Sequence, residues 1–275
     1  MKPALQKLIF PAAVCAIIAM ASSMNALAST AKTESNPQLT LSTGVDYSSG
    51  DYGQTIDTQI TYVPLTAKLK VDRWAGKLTI PYISITGPGV VIGGSEGSTA
   101  GAAGVKSTES GLGDVTASLA YTAPLGSKDT KATFTGKVKF PTADEGRNLG
   151  TGEIDYTLQA GLTQNIGDFY LSGSVARKFN GSSARFQLDD VWKYALGAGY
   201  SFTPETTVGV GYDYRQSSTA AGDAASEVST FVSHKLNEDW SLLVYADTGF
   251  TDASPNFGGG VQISYQFEPF DISSD

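Results

Sequence analysis

The sequence predicts an all-β protein, a 12-stranded antiparallel transmembrane β-barrel of the outer-membrane type that follows a cleaved signal peptide. Three observations predict this fold. Twelve segments alternate apolar and polar residues, which is the pattern of strands with one apolar and one polar face. The connections between these segments alternate between short and long, as they do in barrels threaded through a membrane. Aromatic residues collect near both ends of the segments, where two membrane interfaces select them.

The N-terminus has the three parts of an export signal. Lys2 and Lys7 form a basic start, residues 8–21 are apolar, and residues 26–28 read Ala-Leu-Ala, a small-x-small cleavage site. The predicted division of the chain is a signal peptide over 1–28, a polar leader over 29–37, a barrel over 38–267 and a polar tail over 268–275.

Composition excludes several classes of function. The only cysteine, Cys15, lies in the predicted signal peptide, so the exported chain has neither a disulfide nor a thiolate metal site. The formal net charge is −8, and removal of Lys2 and Lys7 makes it more negative. An acidic chain without a basic block is a poor partner for nucleic acid. Beyond residue 28, no apolar run approaches the about 20 residues that a transmembrane helix needs.

Two of the predicted strands contain a change of phase. In segment 56–71 the apolar residues move from even to odd positions after Pro64, and segment 77–86 has a similar change near Pro81. Because proline cannot donate to a sheet ladder, these changes predict β-bulges at the two prolines. The predicted strands are 39–47, 56–71, 77–86, 114–123, 131–140, 154–163, 169–175, 191–202, 207–215, 227–236, 240–248 and 257–267.

The connections at one end of the predicted barrel are longer than those at the other end. Each odd-numbered connection is longer than its neighbours, and in outer-membrane barrels the short turns are periplasmic and the long loops face outward. An even number of strands then puts both termini on the short-turn side. The longest connection, 87–111, is rich in glycine and serine. It is either a mobile surface loop or a segment folded inward as a constriction.

The aromatic residues near the strand ends predict two girdles. Aromatic residues are also good strand formers, but their separation into two belts favours membrane interfaces. The predicted girdle comprises Trp74, Tyr121, Trp192, Phe202, Trp240, Tyr265 and Phe267. The apolar face is then expected to contact outer-membrane lipids and lipopolysaccharide, and the barrel-insertion machinery is the expected partner during assembly.

Four stretches resemble a known bacterial family. They are VPLTAKLKVDRWAGKLTIPYISITGPG (63–89), GLGDVTASLAYTAPLG (111–126), KFPTADEGRNLGTGEIDY (139–156) and DASPNFGGGVQISYQF (252–267). Together they are similar to the outer-membrane transporter family labelled "MetA-pathway of phenol degradation". The resemblance spans nearly the whole exported chain. It implies an outer-membrane barrel of a Gram-negative bacterium, with a role in the uptake of small compounds that include aromatic or hydrophobic ones.

The polar strand faces predict the lining of the lumen. Its charged residues either form a constriction that filters solutes by size and charge or pair across strands and brace the wall. Lys137 and Lys139 are expected to neighbour Asp114 and Asp155. The candidate lumen residues are Asp57, Asp114, Lys131, Lys137, Lys139, Asp155, Lys193, Asp213, Arg215 and Asp247. Glycines at 197, 199, 209, 211, 258 and 260 predict one nearly bare wall.

The predicted function is a porin-like passive route for small-molecule solutes, which needs no cofactor or metal. One alternative is a structural or closed barrel without a through-pore. Another is an outer-membrane lipid hydrolase, which needs a serine nucleophile beside a histidine base. His234 is the only histidine, and strand alternation puts it on the lipid-facing side, with Ser233 on the opposite face. The sequence therefore predicts that the protein is not an enzyme.

Overall fold

A computed structural model describes residues 37–52, 56–87, 106–220 and 222–267. The predictions for the signal peptide and for the polar tail fall outside these residues, as does most of the predicted leader. The described chain forms one short 3-10 helix, Glu145–Arg147, and thirteen strands. The strands are β1 (Gln38–Gly50), β2 (Thr58–Val71), β3 (Trp74–Gly87), β4 (Ser107–Leu112), β5 (Val115–Leu125), β6 (Ser127–Phe140), β7 (Asp155–Ile166), β8 (Phe169–Phe179), β9 (Val191–Ser201), β10 (Thr206–Arg215), β11 (Ala225–Lys235), β12 (Trp240–Gly249) and β13 (Phe257–Gln266). Within these residues, no helix is long and apolar enough to cross a membrane.

The strands close into a barrel. Neighbouring strands pair antiparallel around the ring, and β1 pairs with β13 from Thr40 opposite Gln266 to Ser49 opposite Phe257. β4 pairs with the last part of β3, and β5 pairs with its first part. β4 and β5 together therefore form one stave, by which we mean one strand-long segment of the barrel wall. The ring therefore has twelve staves, which confirms the predicted fold. Closure pairs the backbone of every strand except β4 on both sides. Within the described residues, β4 pairs only with β3.

The stave formed by β4 and β5 is longer than the predicted strand 114–123. It is interrupted at Gly113 and Asp114, where the Thr142 hydroxyl donates to the Gly113 carbonyl at 3.0 Å and accepts from the Val115 N–H at 2.9 Å. Ser107–Leu112 therefore belongs to the wall and shortens the predicted connection 87–111. The choice between a surface loop and a constriction concerns residues 88–105, which lie outside the described residues.

The predicted bulges at the two prolines are wrong. Pro64 lies directly opposite Pro81, and the register between β2 and β3 is continuous from Gln59–Thr86 to Val71–Trp74. Even positions of β2 face inward throughout. The apolar phase changes because Ile60 and its neighbours turn an apolar inner face towards a buried cluster at one end of the barrel. An inward strand face that is apolar because loop residues cover it therefore has the same sequence pattern as a β-bulge.

The outer surface of the barrel is apolar along its strands. Leu158, Leu196 and Phe134 are each more than half exposed, as is expected of side chains that face lipid. Aromatic residues pack against each other at one end of the barrel: Trp74 on Tyr121 (ring centroids 4.8 Å apart), Trp240 on Tyr265 (4.9 Å) and Tyr265 on Phe267 (4.8 Å).

These aromatic pairs lie at what we call the short-turn end, which carries the β2–β3, β5–β6, β7–β8, β9–β10 and β11–β12 connections. Gly167 forms one of these turns with a φ of 61°, a conformation that other residues adopt only with strain. The opposite end, which carries the remaining connections, is the long-loop end. Trp192 lies at this end, with the Arg177 guanidinium 5.3 Å from its ring centroid.

Candidate functional site

The lumen of the barrel collects most of the charged residues of the strands. Along each strand, alternate side chains face inward and are more buried than their outward neighbours. Among the described inward positions, basic residues outnumber acidic ones, although the whole chain is acidic. The basic residues are Lys68, Lys70, Lys77, Lys131, Lys137, Lys139, Lys178, Lys193, Arg215 and Lys235; the acidic ones are Asp46, Glu109, Asp114, Asp155, Asp213, Glu227 and Asp247.

Nine of the ten predicted lumen residues therefore face the lumen. The exception is Asp57, which precedes β2 and is exposed. Asp57 also falls on the odd positions, which face outward in β2, so its assignment to the lumen is corrected. The prediction did not include Lys68, Lys70 and Lys77, which also lie on inward positions of β2 and β3. Simple alternation of Lys68 and Lys70 with the apolar residues beside them would have found both.

A buried ion cluster lies where β5, β6, β7 and β8 approach the long-loop end. The Lys139 ammonium lies 2.8 Å from the Asp114 carboxylate and 3.4 Å from the Asp155 carboxylate. Lys178 pairs with the same Asp155 at 2.9 Å. Two positive and two negative charges balance, and the carboxylates also accept backbone hydrogen bonds. Removing one member would leave a buried charge without compensation, which is a costly change.

The ion cluster also anchors two long connections. Asp114 accepts from the Ala143 N–H at 3.0 Å, and Lys139 donates to the Thr151 hydroxyl at 3.1 Å, which ties segment 141–154 to the wall. Asp155 accepts from the Gly181 N–H at 3.0 Å, which ties down the start of segment 180–190. The charged residues of the wall therefore determine where the neighbouring loops lie.

The loops at the long-loop end fold over the lumen and form an apolar cap. Tyr52, Leu149 and Ala253, from three different connections, have no exposed surface, and they pack with the inward residues Ile60 and Ile83. Burial raises the pKa of the Tyr52 hydroxyl well above its ordinary value, so this group stays neutral in the cap. We call this set of residues the long-loop cap.

Neighbouring loops are hydrogen-bonded to each other around the rim of the cap. Arg185 donates to the Glu145 carbonyl at 3.1 Å, and the Asp189 N–H donates to the Ser218 carbonyl at 2.8 Å. At the end of the β11–β12 ladder, the Phe250 N–H donates to the Ser226 carbonyl at 2.9 Å. Hydrogen bonds thus connect segments 141–154, 180–190 and 216–224 at the rim, and no periodic pattern in the sequence predicts such contacts.

Acidic residues dominate one wall of the lumen. Asp213 lies opposite Glu227 in the β10–β11 register, and Asp247 lies one stave further on β12. Asp46 on β1 accepts a hydrogen bond from the Tyr245 hydroxyl. Arg215 lies two residues beyond Asp213 on β10, opposite Ala225. We call Asp46, Asp213, Glu227 and Asp247 the acidic wall.

Lysines dominate the opposite wall. Lys68 lies directly opposite Lys77, and Lys77 lies opposite Ser118, which in turn lies opposite Lys137. These side chains form one row across β2, β3, β5 and β6. Lys70 and Lys131 lie near this row and nearer the short-turn end, and the positive charges of Lys70 and Lys131 repel each other. We call Lys68, Lys70, Lys77, Lys131 and Lys137 the lysine wall.

The predicted bare wall is filled by aromatic rings from neighbouring strands. The Tyr170 ring covers Gly199, and the Phe231 ring covers Gly209 so closely that a Cβ atom at either glycine would overlap the ring. Tyr170 and Phe231 belong to a buried cluster with Leu243 and Tyr245. Gly199 and Gly209 therefore make room for large inward side chains, whereas Gly258 and Gly260 lie against the Asp247 and Asp46 carboxylates, so the wall is filled and not bare. We call Tyr170, Phe231, Leu243 and Tyr245 the aromatic cluster.

The single histidine of the chain lies outside the lumen. His234 is exposed on the outer face, and its Nδ1 lies 2.8 Å from the Thr206 hydroxyl. Ser233 faces the other side of the sheet. The described part of the chain contains no group of three or more His, Cys, Asp or Glu residues placed to hold a metal ion.

Comparisons with known proteins agree on the type of fold. The model of a family described as "Putative MetA-pathway of phenol degradation" matches residues 43–267. The crystal structure of the COG4313 outer membrane channel from Pseudomonas putida F1 has a TM-score of 0.61 and 15% identity, covering 86% of this chain and 97% of that one. The KdgM porin has a TM-score of 0.54 and 9% identity, covering 83% and 99%. Among curated proteins, no sequence matches significantly.

Proposed function

The chain belongs to the family described as "Putative MetA-pathway of phenol degradation", and from this premise we propose that it is a passive channel for small solutes in a bacterial outer membrane. Its short turns then face the periplasm and its long loops the cell exterior. Diffusion down a gradient needs no cofactor and no energy source. The solutes include aromatic or hydrophobic compounds, as the description of the family suggests.

One observation carries this proposal: the closed barrel is apolar outside and charged inside. Outward residues such as Leu158 and Leu196 are exposed, which suits contact with acyl chains. Inward residues include both walls of charge described above. An eight-stranded barrel is filled by its own side chains, whereas 16–18 strands leave an open channel. Twelve staves lie between these limits, which suits a narrow pore that selects by size and charge.

The long-loop cap favours a second candidate, a structural barrel without a through-pore. Tyr52 and Leu149 are fully buried there, and the ion cluster around Lys139 holds the loops in place. In the proposed channel the cap limits the flux and opens locally to admit solutes. In the second candidate it stays closed.

Conductance separates the two candidates. The purified protein, inserted into a planar lipid bilayer, is expected to give discrete conductance steps, and liposomes that contain it are expected to swell in small neutral solutes. Empty liposomes and an unrelated closed eight-stranded barrel serve as controls. If both measurements equal the controls over a range of voltages, the closed barrel is the better description.

The proposal includes the absence of catalysis. His234 and Ser233 lie on opposite faces of β11, so they do not form the pair that a hydrolase needs. The proposed partners are the lipids and lipopolysaccharide that surround the barrel, the machinery that inserts it, and the solute. A role for the acidic and lysine walls as the constriction belongs to the same proposal.

A further inference from the structure

We propose that solutes cross the barrel along one side of the lumen, the polar inner face of β5, β6 and β7, because the opposite side is filled by its own side chains. This inference rests on the proposed channel function and names the side chains that solutes contact. The lysine wall then borders the route, and most of the acidic wall lies on the filled side. The difference in burial between corresponding inward positions carries the inference.

The filled side is formed by β11 and β12. Every inward side chain from Ala225 to Phe231 and from Leu243 to Asp247 is buried. Towards the short-turn end, this burial comes from the aromatic cluster. Towards the long-loop end, Ala225 belongs to the same buried cluster as Tyr52 and Ala253 of the cap. A solute therefore finds no surface to contact on this side.

The open side lies directly across the lumen. In a ring of twelve staves, β5 and β6 are diametrically opposite β11 and β12. The inward side chains Ser118 on β5, Thr135 on β6 and Gln159 on β7 are all partly exposed. An inward side chain in the middle of a paired strand can be exposed only towards the lumen. Its exposure therefore marks the part of the lumen that water and solutes can enter.

Polar groups line this open side. Thr135 lies opposite Ala120 on one neighbouring strand and opposite Gln159 on the other. Nearer the short-turn end, the Thr122 and Thr133 hydroxyls lie 3.1 Å apart and are hydrogen-bonded across β5 and β6. Hydroxyl and amide groups that line a pore can exchange hydrogen bonds with a passing solute and replace part of its hydration shell. The open side thus offers both space and suitable contacts.

Single cysteines can locate the route. The only cysteine of the chain, Cys15, lies in the predicted signal peptide, so one substitution introduces the only thiol of the exported protein. Ser118→Cys and Ser229→Cys are a matched pair, because both positions face the lumen within four residues of the long-loop ends of β5 and β11. They differ in burial, since Ser118 is partly exposed and Ser229 is only 2% exposed.

The reagents are two methanethiosulfonates that do not cross membranes, one cationic (MTSET) and one anionic (MTSES), added on both sides of a planar bilayer. We expect the current through Ser118→Cys channels to fall and to recover with dithiothreitol. Ser229→Cys should react at least about tenfold more slowly, because a buried thiol is inert until the structure opens locally. Reagents of both charges ensure that the lumen charges do not decide the outcome.

Further variants guard against local effects. Thr135→Cys lies on the open side between the uncharged residues Ala120 and Gln159, and its current should fall as that of Ser118→Cys does. Ala225→Cys provides a second buried position on β11 in case Ser229→Cys does not fold, which heat-dependent migration on gels reveals. After unfolding in urea, every variant should react fast. The parent protein should not respond.

The outcomes separate this inference from the channel proposal. If the parent protein gives no conductance, the channel proposal fails and this inference fails with it. If the protein conducts but a folded Ser229→Cys or Ala225→Cys variant loses current as fast as Ser118→Cys, only the inferred route is overturned. The route is equally overturned if the protein conducts and neither Ser118→Cys nor Thr135→Cys loses current.

Discussion

The two ends of the lumen are built in different ways. At the long-loop end, the charges of Lys139, Asp114 and Asp155 neutralise each other within hydrogen-bonding distance, and apolar loop residues close the space above them. Towards the short-turn end, Lys68 and Lys77 place like charges face to face, and aromatic rings cover glycines on the other side.

This difference separates two roles that charge can have in one barrel. Balanced charge at the long-loop end stabilises, because each ion is buried beside its counter-ion and backbone donors satisfy the carboxylates. At the lysine wall, Lys68 and Lys77 instead place like charges opposite each other, and in the proposed channel such lumen-facing charges act on solutes. Substitutions at the two ends are therefore expected to act on different measurements.

Asp114→Asn is expected to have the largest effect on stability. The change removes one of the two carboxylates beside Lys139 and weakens the hold on segment 141–154. Since Asp155 remains as a partner, the expected loss of unfolding free energy is about 3 kcal/mol, the lower end for breaking a buried pair. Urea unfolding in lipid vesicles measures it. Loosening of the cap should also raise the conductance of single channels.

The matched control for this prediction is Asp57→Asn. Asp57 carries the same carboxylate but is exposed and lies outside the strands, so the expected change in stability is within about 0.5 kcal/mol. Should Asp114→Asn unfold at the same urea concentration as Asp57→Asn, the ion cluster would have no stabilising role and the contrast between the two ends would disappear.

Gly199→Ala is expected to have the next largest effect and tests the aromatic cluster. A Cβ atom at Gly199 would overlap the Tyr170 ring, so the ring must move. Overpacking of this kind costs about 1–3 kcal/mol. The unfolding midpoint should therefore fall, whereas the conductance, which depends on the cap, should change little.

Gly136→Ala provides the comparison for Gly199→Ala. Gly136 lies on an outward position of β6 with open space around its Cα, so alanine there should be neutral or stabilise by about 0.5 kcal/mol through the unfolded chain. Equal midpoints for the two variants would mean that the rings do not lie on the glycines.

The sequence was sufficient to predict the strands because each stave has its own signal. Alternation in segments such as 191–202 reports the two faces of one strand, and this signal does not depend on the rest of the barrel. The same alternation placed nine of the ten predicted charged residues in the lumen. Lys139 and Asp155 lie directly opposite each other in the β6–β7 register, although a long connection joins these two strands.

The cap could not be predicted for a physical reason. Tyr52 and Leu149 are buried through contacts between loops that are distant in sequence, and no periodic pattern records such contacts. The inward apolar residues Ile60 and Ile83 are explained only by the cap that covers them. Without it, the phase change at Pro64 indicated a bulge, and that error placed Asp57 on the inward face.

His234→Ala is expected to have the smallest effect, because His234 lies outside the lumen whose two ends are compared. The imidazole is exposed on the outer face and contacts only the Thr206 hydroxyl among the hydrogen bonds described, so the loss of stability should be within about 0.5 kcal/mol. Conductance should be unchanged, because neither end of the lumen includes this residue. A lipase assay on the purified parent protein should equal the detergent blank. Lipid hydrolysis above the blank that disappears in His234→Ala would show that the outer face, not the lumen, carries a function.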